Sequence, residues 1–192
     1  MLSFVAASCV WMLLLAAIFG ESFLAPSPSL GDDLTRNTIR LALLYYAAAV
    51  TFMMFLKPAD WSARGFWGRW ARWLWTLALL AYFVHLVMAF HHIHHWSHED
   101  AVAHTRAVSG LGEGIYVSHL FTVVWTADVL FWWLRPARYA VRSPWIGRLL
   151  HGFMLFVVFN ATVVFETGWI RWAGVALFVE LAALAAFRLE KK

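Results

Sequence analysis

Residues 73–92 read WLWTLALLAYFVHLVMAFHH, twenty consecutive residues without Asp, Glu, Lys or Arg. The hydrocarbon core of a bilayer is about 30 Å thick, and an α-helix needs about twenty apolar residues to cross it. The run therefore predicts one membrane-spanning helix. Its last two residues, His91 and His92, begin a stretch that is rich in histidine.

Similar apolar segments lie on both sides of this run. Together they predict six spans, at residues 2–19, 37–56, 73–92, 115–134, 149–165 and 169–187. Of the 192 residues, 62% are hydrophobic and only 14% are charged, which is too little polar surface for a soluble domain of this size. Open sheet edges are not viable in lipid, and no alternating strand pattern is present. The sequence predicts an all-α integral membrane bundle, in one domain over residues 1–192.

The first apolar segment can be interpreted in two ways. A cleaved signal peptide normally carries a positive charge before its apolar stretch. Residues 1–19 contain neither Lys nor Arg. We therefore interpret residues 2–19 as the first membrane helix.

Basic residues are concentrated on alternate connections between the spans, and by the positive-inside rule these connections lie in the cytoplasm. The prediction is a multi-pass protein with both termini cytoplasmic, most simply in the bacterial inner membrane. The basic residues that give the net charge of +4 then determine the membrane topology, and the charge does not indicate a nucleic-acid partner. The expected partners are the lipid bilayer and other membrane subunits. The basic residues concerned are Lys57, Arg64, Arg69, Arg72, Arg135, Arg138, Arg142, Arg148, Arg188, Lys191 and Lys192.

Seven of the nine histidines fall between residues 85 and 104. Imidazole is the commonest metal ligand near neutral pH, and Cys9 is the sole cysteine, so an all-thiolate site is excluded. The cluster predicts a site for one or two transition-metal ions at the extracytoplasmic face. The candidate ligands are His91, His94, His95, His98, His104, His119, Glu99 and Asp100.

Helical spacing groups these residues. At about 100° per residue, His85, Met88, His92 and His95 fall within an arc of about 80°, if the helix continues past the membrane. His119 lies one turn into the fourth predicted helix, at about the depth of His91 and His92 if the two helices are antiparallel. We therefore expect His119 to supply a ligand from a second helix.

The spacing His91-x-x-x-His95, with His94 beside it, resembles the histidine boxes of membrane desaturases and hydroxylases. The resemblance covers about eight residues of one predicted helix, and the sequence has no second or third box. It implies non-haem iron chemistry.

Ser97 with Asp100 has the spacing of a capping box that opens a short interfacial helix. Asp100 then has two possible roles. It is either a metal ligand or a residue that only caps this helix.

Ligand chemistry leaves the cofactor open. Imidazole suits iron, copper and zinc, and a thioether such as Met88 favours Cu(I). Haem b is the alternative, with His85 or His92 on one helix facing His119 on another as axial ligands. The histidines beyond these two would then be unexplained, so an ionic metal is preferred.

Two acids fall inside predicted spans, Asp128 in the fourth and Glu180 in the sixth, at similar depth. Ionisable groups in a membrane usually face the protein interior and have a partner. The pair suggests a shared proton, and His85 with Asp128 suggests a proton path. The structural alternative is that both acids hydrogen-bond to Thr, Trp or backbone groups and hold helices together.

These features favour a metal-dependent membrane oxidoreductase that acts on a membrane-soluble substrate or quinone. Three alternatives remain. They are a metal-ion or proton-coupled transporter or metal-handling protein, a haem b subunit of a respiratory assembly, and a zinc-dependent membrane hydrolase.

Overall fold

The computed structural model describes residues 2–24 and 29–190. These residues form α-helices with no strand. A 3-10 helix at Pro58–Ser62 precedes α3, and a π-helical turn at Asn160–Val164 follows α7. The α-helices are α1 (Leu2–Leu24), α2 (Leu30–Met54), α3 (Phe66–His92), α4 (His98–Ser109), α5 (Gly114–Leu134), α6 (Pro136–Ala140), α7 (Pro144–Phe159) and α8 (Gly168–Glu190).

The expected membrane architecture is confirmed. Within the described ranges, five helical segments are long and apolar enough to cross a bilayer. They are Leu30–Met54, Phe66–His92, Gly114–Leu134, Pro144–Val164 and Gly168–Arg188. The apolar part of α1, Ser8–Gly20, is shorter. The chain is thus an all-α membrane-spanning protein in which about six helices are plausible spans.

The chain forms two compact units, Met1–His104 and Thr105–Lys192, and the boundary falls inside α4. The expectation of one domain over the whole chain stays a prediction.

In the first unit, α2 and α3 pack against each other along their length. The rings of Phe52, near the end of α2, and Trp67, at the start of α3, have centroids 5.5 Å apart, so the two helices are antiparallel. Ala71, Ala78 and Ala81 of α3 are completely buried. Small side chains at these positions allow the helix backbones to approach closely.

Helix α1 packs against both α2 and α3. The indole Nε1 of Trp11 donates a hydrogen bond to the carbonyl oxygen of Leu77, at 3.1 Å. This bond ties α1 to the middle of α3.

Replacing Trp11 with phenylalanine keeps an aromatic ring but removes this hydrogen bond. We expect the free energy of unfolding to fall by about 1 kcal/mol, the usual net contribution of one hydrogen bond. Unfolding in sodium dodecyl sulfate, followed by circular dichroism, measures the loss. Trp172→Phe on an exposed face of α8 is the control, with a change within about 0.5 kcal/mol. Equal effects of both changes would contradict a role for the bond.

The connection between α2 and α3 folds back on the first turn of α3. The backbone N–H of Lys57 donates to Asp60 Oδ2 at 2.9 Å, and Ala63 adopts a left-handed conformation with φ of 54°. Gly68 lies buried beneath this connection. A Cβ at position 68 would overlap the carbonyl oxygen of Asp60 and lie 2.8 Å from its carbonyl carbon, so only glycine fits here.

In the second unit, α5 packs against α7, and the π-helical turn packs against α8. The turn is marked by a hydrogen bond from the Phe165 N–H to the Asn160 carbonyl, five residues earlier, at 2.9 Å. The buried side chain of Thr162 faces Gly174 of α8, where a Cβ would lie 2.7 Å from Thr162 Oγ1. Close contact between these helices thus depends on a glycine.

Candidate functional site

The histidine-rich stretch is not one continuous helix. Helix α3 ends at His92, and the N–H of Trp96 then donates to the carbonyl of Phe90 at 2.9 Å, which turns the chain. His95 and Trp96 both have positive φ, at 47° and 61°. Left-handed backbone is uncommon for residues other than glycine, although histidine is among those that tolerate it better. The helix does not continue past the membrane, which is the condition for placing His95 in the stripe. His95 therefore lies outside the stripe, and His91 and His95 do not form a box on one helix face.

Only the Ser97 half of the predicted capping box forms after this turn, because the Ser97 N–H donates to the His94 carbonyl at 2.7 Å and not to the Asp100 side chain. Helix α4 begins at His98, and Ser97 Oγ accepts a hydrogen bond from the Asp100 N–H at 3.1 Å. Asp100 and His104 are four residues apart on α4, so they share one face. The turn and cap together direct that face of α4 toward the residues that follow α3.

His94 lies at the centre of the rearranged cluster. Its ring contacts His104, with centroids 5.2 Å apart and ring planes at 68°, and it also contacts Phe90. His94 Nδ1 is buried and has no hydrogen-bond partner among the described residues. A buried polar atom without a partner costs free energy, so it calls for a ligand or another explanation.

The surroundings of His94 favour its neutral form. Burial lowers the pKa of His94 below its usual value, and the nearby His104 and His95 lower the pKa further. The carboxylate of Asp100 acts in the opposite direction. Neutral imidazole is the form that coordinates metal ions.

The spacing of His94 and His104 suits a shared ion. With metal–nitrogen distances of about 2.0–2.1 Å, two imidazoles on one tetrahedral ion have ring centres about 5 Å apart. Across residues 2–24 and 29–190, however, no three His, Cys, Asp or Glu side chains are grouped so that they could hold a metal ion. The described residues thus bring together two imidazoles, and a third ligand would require a side-chain rotation.

Two histidines of the predicted stripe, His85 and His92, face α2. His85 Nδ1 lies 3.0 Å from the carbonyl oxygen of Thr35. Because a carbonyl only accepts hydrogen bonds, Nδ1 carries the proton and Nε2 of the neutral ring keeps its lone pair. His92 packs on Gly31, where a Cβ would lie 2.8 Å from His92 Cβ.

The other predicted ligands lie at the surface. Their side chains are exposed, and His91 contacts His92 with ring centroids 4.6 Å apart. His119 is exposed on α5 in the second unit and contacts Tyr116. Its pairing with a histidine of the first unit, for a metal or for haem b, stays a prediction. The exposed residues of the first unit are His91, His95, His98, His104, Glu99 and Asp100.

A second polar centre surrounds Asp128 in the second unit. The carboxylate is buried, and it accepts a hydrogen bond from the Tyr139 hydroxyl at 3.0 Å and from Arg142 Nη1 at 2.6 Å. Tyr139 stacks on Trp132, with centroids 4.7 Å apart and planes at 4°, and the Arg142 guanidinium lies 3.8 Å from the centre of the Tyr139 ring. Burial raises the pKa of Tyr139, and the Asp128 carboxylate raises it further, so the phenol stays protonated.

This centre differs from the predicted pair of acids. Asp128 faces the protein interior as expected, whereas the side chain of Glu180 is exposed on α8. The expectation that Glu180 also faces the interior is therefore wrong within this chain. Transfer of a proton between Asp128 and Glu180, or along a path from His85, stays a prediction.

Sequence reasoning missed four residues that shape these centres, namely Gly31, Thr35, Tyr139 and Arg142. Arg142 carried a signal, because it is a basic residue in the connection that follows the span of Asp128, but a basic residue there also fits the positive-inside rule. Gly31 and Thr35 carried no signal, since they act by meeting His92 and His85 on another helix.

Comparison with known proteins gave no match for this chain among protein-family models, curated proteins or solved structures.

Proposed function

We propose that this chain is an integral membrane metalloprotein that binds a transition-metal ion, iron, copper or zinc, at His94 and His104. The observation that carries the proposal is the buried Nδ1 of His94, which lacks a hydrogen-bond partner and belongs to a ring 5.2 Å from that of His104. Imidazole nitrogens are good ligands for all three metals.

Asp100 is the best placed third ligand. It lies one helical turn before His104 on α4, and its carboxylate interacts electrostatically with His94. Its side chain is exposed and can change rotamer at low cost. Two imidazoles and one carboxylate with open positions form the ligand set of non-haem Fe(II) oxygenases.

The proposed reaction class is redox chemistry on a membrane-soluble substrate or quinone, and a bound iron or copper ion would supply the electron transfer. The chain's own residues hold the site. The partly buried ring of His94 is shielded from water by Phe90, and the fixed tautomer of His85 presents Nε2 as a proton acceptor nearby. Apolar side chains exposed along the spanning helices allow a lipid-soluble molecule to approach from the bilayer.

The proposed location is a bacterial inner membrane with both termini cytoplasmic. The support is the distribution of Lys and Arg between the connections, as the positive-inside rule requires. The histidine end of α3 would then lie at the extracytoplasmic face.

Metal analysis of the full chain tests the proposed function. The protein is purified in detergent without a histidine tag, dialysed against a weak chelator and measured by elemental analysis and absorption spectroscopy. We expect about one iron, copper or zinc ion per chain. Loss of one supporting residue at a metal site commonly costs about 10–100-fold in affinity. His94→Gln with His104→Gln removes two ligands, so dialysis should leave this variant without metal.

The matched control is His91→Gln with His98→Gln, which removes two exposed histidines that neighbour the pair. This variant should keep its metal. A wild-type chain without metal, or equal loss from both variants, would contradict the proposed ligands. A Soret band would show that haem is bound instead.

A further inference from the structure

The connection between α5 and α7 carries an uncompensated positive charge. Between Asp128 and Glu166 the sequence contains four arginines and no acid. Arg142 is neutralised by its ion pair with Asp128, and the other three, Arg135, Arg138 and Arg148, are exposed. Neither the Arg135 nor the Arg138 guanidinium forms a hydrogen bond or ion pair with any residue in the described ranges. Two cationic groups are therefore available to an external anion.

The backbone that carries these arginines is held in place. Tyr139 of α6 is buried and stacked on Trp132, and Arg142 just after α6 is paired with Asp128 of α5. Arg135 directly precedes α6 and its carbonyl accepts the Tyr139 N–H at 2.8 Å, and Arg138 lies within α6, so one short segment carries both arginines. Both guanidinium groups are thus attached to backbone that is already held in place, and little backbone order has to be gained on binding.

The neighbouring surface is apolar. Val141 is 82% exposed and Trp145 is 66% exposed, and the Arg148 guanidinium lies 4.6 Å from the centre of the Trp145 ring. Tryptophan is enriched at the boundary between lipid and water. A dissolved anion would gain nothing from the apolar side chains, whereas a lipid contacts them with its acyl chains.

We propose that this surface, formed by Arg135, Arg138, Arg148, Val141 and Trp145, binds the phosphate headgroup of an anionic phospholipid. Arginine suits this ligand because its planar guanidinium group can donate two parallel hydrogen bonds to phosphate oxygens. Charge selects the class of lipid, since a zwitterionic headgroup offers a compensating cation that three arginines repel. The proposal is independent of metal binding in the first unit.

Lipid titration of the full chain tests this surface. The protein in neutral detergent is titrated with phosphatidylglycerol that carries a pyrene group on an acyl chain, and energy transfer from its 13 tryptophans reports binding. Phosphatidylcholine with the same label is the comparison. Each basic residue near an anionic lipid surface contributes about 1 kcal/mol, which is about fivefold in affinity. Arg135→Gln with Arg138→Gln should therefore weaken phosphatidylglycerol binding by about 25-fold and leave phosphatidylcholine binding unchanged.

The charge-matched control is Arg64→Gln with Arg69→Gln, which removes two exposed arginines from the first unit. Unchanged phosphatidylglycerol affinity in this control supports the assigned surface. Equal affinity of the wild type for the two lipids overturns the proposal. An unaltered affinity in the Arg135 and Arg138 variant, or the same loss in the control, overturns it as well.

Discussion

Replacement of Arg142 with leucine should destabilise the second unit by about 3–5 kcal/mol, because it leaves the buried Asp128 carboxylate without its cation. The side chain of Asp128 is only 1% exposed and that of Arg142 is 10% exposed, so water cannot take the place of the guanidinium. Tyr139 would still donate its hydrogen bond to the carboxylate, but a neutral phenol does not replace the positive charge. The midpoint of unfolding in sodium dodecyl sulfate measures the effect.

Two controls separate loss of the ion pair from loss of any arginine. Arg138→Leu removes an exposed guanidinium four residues earlier and should change stability by less than about 0.5 kcal/mol. Asp128→Leu combined with Arg142→Leu removes both charges, and it should recover most of the stability that the single change loses. If the double variant is as unstable as Arg142→Leu, the uncompensated carboxylate is not the cause.

Gly68→Ala should destabilise the first unit by more than about 3 kcal/mol, at the upper end of the cost of overpacking. The added methyl group would occupy the position of the Asp60 carbonyl oxygen and would lie 3.1 Å from Ala63 Cα. Both obstacles are backbone atoms, so a side-chain rotation cannot relieve them. The 3-10 helix Pro58–Ser62 has to move away from α3, and thermal unfolding in detergent should show a large loss of stability.

Gly20→Ala in α1 is the matched control. Among the described residues, and apart from the backbone of α1 itself, no atom lies within 4 Å of a Cβ at that position. It should leave stability unchanged or raise it by up to about 1 kcal/mol, because alanine loses less conformational entropy in a helix than glycine. Similar behaviour of the two variants would show that the connection over α3 is not tightly packed.

Hydropathy predicted the existence of the helices better than their limits. The third predicted span and α3 both end at His92, but α3 begins at Phe66, seven residues before the predicted start. The difference arises because α3 continues through Arg69 and Arg72, which a search for uncharged residues excludes. The fifth predicted span corresponds to α7, which likewise begins at Pro144 and not at Leu149. Hydropathy detects the part of a helix that suits lipid, whereas backbone hydrogen bonding continues into the interface.

The candidate site was predicted by composition and not by geometry. Composition directed the prediction to residues 91–104, where His94 and His104 do lie together, but helical spacing placed His95 on the face of α3. No glycine marks the end of this helix, because the left-handed positions are occupied by His95 and Trp96. Glycine is the usual signal for such a reversal. The contacts of Thr35 with His85 and of Arg142 with Asp128 depend on tertiary packing, which local spacing does not encode.

The π-helical turn at Asn160–Val164 helps to keep a row of buried residues on one side of its helix. Met154, Val158 and Thr162 are all buried, at intervals of exactly four residues. On an ideal α-helix this interval advances by about 40° at each step, so a row of such residues gradually winds away from its neighbour. A turn closed by a hydrogen bond over five residues is wider, and it offsets part of that drift. The wider turn therefore keeps Thr162 opposite Gly174 of α8, where the absence of a side chain leaves room for it.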